Sequence, residues 1–90
     1  MFPSNTVNDH RLLKHGMIIH VLDESDGHIK LAGEIDGFPY RSALLEKGEG
    51  RDALPDMVRI IINGCANDVK LSELGIGPDR HAVRCVEMVT

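Results

Sequence analysis

The run from His28 to Ile35 alternates, with Ile29, Leu31, Gly33 and Ile35 on one side and His28, Lys30, Ala32 and Glu34 on the other, and an Asp-Gly pair stands at each end of it. A period of two with one polar face marks a half-buried strand. Asp-Gly accepts positive φ at little cost and sits at the centre of tight hairpins. Upstream, Met17-Ile18-Ile19-His20-Val21-Leu22 is a short apolar run rich in β-branched residues, which predicts a partner strand joined through Asp23 to Gly27. Downstream, Asp36-Gly37 predicts a second turn and a third strand over Phe38 to Leu45. Pro39 near the start of that strand can give no ladder hydrogen bond, so that end is expected to be unpaired or at an edge. Residues 17–45 therefore read as a β-meander.

Beyond the polar, glycine-containing loop Glu46 to Asp52, two periods compete. Val58, Ile61, Ile62, Cys65, Ala66 and Val69 recur at spacings of three and four, which marks one face of a helix. Pro55 suits a first helical turn, and Asp56 adds favourable charge there. The alternative is a hairpin, because Val58 to Ile62 is β-branched and Asn63-Gly64 is a strong hairpin signal. The reading favours a helix over about 55–70, with Gly64 costing it about 1 kcal/mol. Lys70 to Gly75 predicts a helical turn stopped by Gly77-Pro78, and His81 to Val89 a final strand. Residues 1–15 show no clean period and read as an irregular lead-in that Val7, Leu12 and Leu13 can pin to the core. The expected fold is α+β, a small antiparallel sheet with one main helix, in the order βββαβ. Its expected inward set is Ile19, Val21, Ile29, Leu31, Ile35, Leu44, Val58, Ile61, Ile62, Cys65, Val69, Val83 and Cys85.

Ninety residues suit a single domain, residues 1–90, and 42% hydrophobic with 27% charged residues fits ordinary globularity. Aromatic residues are only Phe2, Phe38 and Tyr40, so Ile, Leu, Val and Met must build the core. That scarcity also removes the usual stacking platform for bases, and a net charge of −4 argues against a nucleic-acid partner. The nearest thing to a basic patch is Arg11, Lys14 and His15. No apolar run approaches transmembrane length, and the start MFPSNTVNDH lacks a charged end and apolar core, so a cytoplasmic location with Cys65 and Cys85 reduced is expected.

Motifs for chemistry are sparse. His20 and His28 flank the first turn and, joined by Asp23, offer an alternative metal site. Asp26 is a further acid in the same turn, but DESDG lacks the ligand register of a calcium loop. Cys65 on the apolar stripe and Cys85 in a strand read as structural thiols, since neither has an evident base. The carboxylate pairs Asp23/Asp26, Glu46/Glu49 and Asp52/Asp56 lie in polar turns, where nothing shifts one acid against the other. In Lys47-Gly48-Glu49-Gly50-Arg51, Glu49 would repel a phosphate. No cofactor motif is present. Phe38, Tyr40 and Arg41 form the one cluster of residue types favoured at interface hot spots. A sheet this small leaves edges and part of one face available, so the expectation is a small non-catalytic interaction or regulatory module that binds another protein or itself, as a homodimer through an edge strand or the uncovered face. A small metal-dependent enzyme and a nucleic-acid-associated protein are the alternatives.

Overall fold

The computed structural model describes residues 5–41, 54–78 and 80–88. Among these, six strands form one antiparallel sheet: β1 (Asn5–Thr6), β2 (Ile18–Asp23), β3 (Ile29–Tyr40), β4 (Met57–Ile62), β5 (Cys65–Lys70) and β6 (Val83–Glu87). The spatial order is β1-β6-β2-β3-β4-β5, so the C-terminal strand inserts between β1 and β2. The only helical pieces among the described residues are short 3-10 turns, including His10–Leu12 and Leu71–Leu74. No described helix is long and apolar enough to cross a membrane.

The expected α+β fold with a main helix over 55–70 is therefore wrong: that segment is the β4–β5 hairpin. Asn63 and Gly64 both take positive φ, 52° and 83°, the pairing that a two-residue type I′ turn requires. Ile62 and Cys65 face each other across it, and the register runs on to Met57 opposite Lys70. β-Branched side chains at Val58, Ile60, Ile61 and Ile62 are stiff at χ1 and pack well on a pleated surface, which favours strand over helix. The buried residues follow a period of two through Val58 and Ile60, so Ile60 is core while Ile61 and Ile62 are only half-buried and Cys65 is exposed.

The second turn of the expected meander is also absent. β3 runs through Asp36-Gly37 without reversing, and the positive φ of Gly37 (89°) serves a bulge instead. Asp36 pairs with Arg59 and Tyr40 with Met57, so Gly37, Phe38 and Pro39 together oppose Val58. Pro39 sits inside this bulge, where its missing N–H costs no ladder bond. Residues 42–45 of the expected third strand, with Leu44 and the loop Glu46 to Asp52, lie outside the described residues. A smaller bulge in the β2–β3 ladder sets Lys30 as an extra residue between the pairs Val21–Leu31 and Leu22–Ile29.

Residues opposite one another in register share a face of the sheet. One face carries Ile19, Val21, Ile35, Val58, Ile60, Val69, Val83 and Cys85, all buried. Val7, Leu13, Leu71, Leu74 and Ile76 join these residues in one core cluster, so the lead-in and the second 3-10 turn form a thin cover over this face. Gly75 ends that turn in a left-handed conformation, with its N–H donating to Ser72 O. Ile29, expected inward, is 56% exposed because it lies on the other face opposite Leu22.

Candidate functional site: an uncovered sheet face

Alternation along β2 puts Ile18, His20 and Leu22 on the face away from the core. Register extends that row: Ile18 opposes Glu34, Glu34 opposes Ile61, and Ile61 opposes Ala66. His20 lies between Ala32 and Val86, and Leu22 between Ile29 and Arg84. The result is a largely apolar strip across five strands, interrupted by Glu34 and His20, with no described element over it. Ile18 is 39% exposed, Ala32 and Ala66 are exposed, and Ile61, Val86 and Leu22 are half-buried by their neighbours alone.

A polar row borders the strip. Asp36, Arg59 and Asp68 stand opposite one another on β3, β4 and β5. Tyr40 Oη donates a 2.5 Å hydrogen bond to Asp68 Oδ1, and Arg59 Nε donates to the same oxygen at 3.2 Å. The Tyr40 bond is the main reason that the Asp68 carboxyl is held below its ordinary range, with Arg59 adding to it against partial desolvation. The same bond raises the Tyr40 phenol. Tyr40 is thus tied into the sheet surface beside Met57 and Lys70. Phe38, in the bulge, is 66% exposed, and Arg41 is half-buried just beyond the end of β3.

The residues of the alternative metal site do not converge. His20 lies on the uncovered face, while Asp23 pairs with Val83 of the core face. The Asp23 carboxylate caps the β2–β3 turn by accepting from Ser25 N and Ser25 Oγ, which lowers its pKa, and Lys30 Nζ approaches it to 3.6 Å. His28 Nδ1 is 3.2 Å from Asp26 in the same turn. Among the described residues, no group of three or more His, Cys, Asp or Glu is arranged to hold a metal ion. Of the basic patch, Arg11 is paired with Asp9 at 2.7 Å, and His15 faces Asp36.

The thiols differ sharply. Cys85 is buried opposite Val21, and burial pushes its pKa up to about 12, which makes it inert as a nucleophile. Cys65 opens β5 in an exposed position, not on the buried stripe that the helical spacing implied. Two grooves of about 530 and 490 Å³ flank the covering segments, the first lined by Asp23, Lys30, Glu73 and His81, the second by His10, Leu54, Asp56 and His81.

An uncovered face is expected of a sheet this small, but Ile29 and Ile61, which lie on it, are expected inward from their spacing. The strip's signal was present: Met17 to Ile19, Val21-Leu22 and Ile60 to Ile62 are apolar on consecutive residues, so both faces of those strands carry apolar side chains. No family model, curated protein or solved structure matches this chain.

Proposed function

We propose that this protein is a non-catalytic interaction module whose uncovered sheet face packs against a second copy of the same chain. The observation that carries the reading is the apolar strip Ile18, Leu22, Ile29, Ile61 and Val86 on a face that no described element covers. An exposed, mostly apolar sheet face on a folded protein is a candidate interaction site. Glu34 lies within the strip, and both signs of charge border it, with Asp36 and Asp68 against Arg59, Lys70 and Arg84. A second copy therefore does not meet a surface of uniform like charge, although the chain carries −4 overall. Phe38 and Tyr40 extend the surface at its β3 end and supply its aromatic contacts, with Arg41 adjoining. The exposed free thiol of Cys65 suits a reducing compartment, and the cytoplasm is the location we assign.

Sedimentation velocity over a hundredfold range of concentration tests the reading. The wild-type chain should shift from monomer to dimer, and Ile18→Glu should stay monomeric with its circular dichroism unchanged. A wild-type monomer throughout the range, or a dimer indifferent to Ile18→Glu, would overturn it.

A further inference from the structure

Gly16 N–H donates to Ile35 O and Ile35 N–H to Met17 O, so the chain entering β2 already pairs with β3. One step further along, the partner is a side chain: Gly37 N–H donates to His15 Nδ1 at 2.9 Å. A backbone amide can only donate, so this bond requires an unprotonated Nδ1, with the ring proton on Nε2. Asp36 Oδ1 lies 3.8 Å from the same nitrogen. Arg59 faces Asp36 from β4, Asp68 faces Arg59 from β5, Glu34 lies two residues back on β3, and Lys14 precedes His15 in its own turn. One nitrogen thus has two competing partners, an amide that needs its lone pair and a carboxylate that prefers it protonated.

We propose that His15 is a pH-sensitive latch on the β3 bulge, and, resting on the interaction reading above, that it controls how the bulge presents Phe38 and Tyr40 to the second copy. Unprotonated, Nδ1 holds Gly37 and fixes the bulge against the start of β2. A proton taken from water occupies that lone pair, breaks the Gly37 bond and turns the ring to Asp36 as an ion pair. Gly37 then loses its acceptor, and the bulge that carries Phe38 loosens.

Nuclear magnetic resonance on the whole chain tests this over the range in which histidines titrate, about pH 5 to 8. The Gly37 amide shift should titrate together with the His15 ring, and its protection from hydrogen exchange should fall about three- to tenfold on the acid side. His15→Asn places an amide oxygen near the position of Nδ1 and should hold Gly37 at every pH. Dimerisation should weaken on the acid side in wild type and not in His15→Asn. A flat Gly37 shift across a titrating His15, or a ring protonated on Nδ1 at the basic end, would overturn the latch whatever the dimer does. A titrating Gly37 beside a pH-independent dimer would overturn its control of association. Absence of any dimer would sink the interaction reading instead, leaving the latch to be judged on Gly37 alone.

Discussion

Gly33 occupies the covered face of β3, opposite Ile19, where the sheet has no room for a side chain. A Cβ there would lie 2.5 Å from Ile60 Cγ2 and 2.6 Å from Ile61 O. The second atom is backbone in the neighbouring strand, so relief requires β3 and β4 to separate. Gly33→Ala should cost about 1–3 kcal/mol in urea unfolding, with the m-value unchanged; a neutral or stabilising substitution would contradict the close strand contact. On the opposite face, Asp68 predicts a pH dependence. Its folded pKa is depressed, chiefly by Tyr40, so its contribution to stability is present above the unfolded carboxyl pKa and is lost as pH falls through the folded value. Tyr40→Phe should therefore lower stability at neutral pH, and the gap from wild type should narrow as the acid limb is descended. A gap of constant size down to about pH 3 would show that the hydroxyl acts through something other than Asp68.

The elements turn on β4. In the hairpin Ile60 is fully buried between Ile35 and Asn67, whereas Ile61 lies half-buried on the uncovered face. Ile60→Ala should cost about 2–5 kcal/mol, and Ile61→Ala less than half of that in dilute monomer; a helix over this segment would reverse the order. The reason that the helical spacing misleads is visible in the residues. Val58, Ile61, Ile62, Cys65 and Val69 match a period near 3.6 only because β4 is apolar on both faces. Asn63-Gly64 marks the true reversal. Asp36-Gly37 shows the converse: the same dipeptide chemistry that closes a hairpin also supplies the positive φ of a bulge, and only pairing with β4 decides between them. The first hairpin, the turn at Gly75 and the last strand follow from local residues, since capping and alternation are local. The insertion of β6 between β1 and β2 is a long-range pairing with no local signature.

At the scale of the molecule, the described residues form a six-stranded sheet with a thin cover on one face and no described element over the other. The covered face needs 3-10 turns and an irregular lead-in because the main helix expected for that role does not form. Phe38 and Tyr40 were legible as candidate contact residues from residue type, but the strip they border was not, because it is assembled from one or two residues on each of five strands. Two such sheets would pack face to face about 10 Å apart, which brings methyl groups of one copy within range of the other. The most direct measurement is an isotope-filtered nuclear Overhauser experiment on a mixture of labelled and unlabelled chains. Intermolecular signals between methyls of Ile18, Ile29, Leu22, Ile61 and Val86 are predicted. Intermolecular signals confined to the β5 edge, or none at a concentration where the chain is dimeric, would contradict a dimer built on the uncovered face.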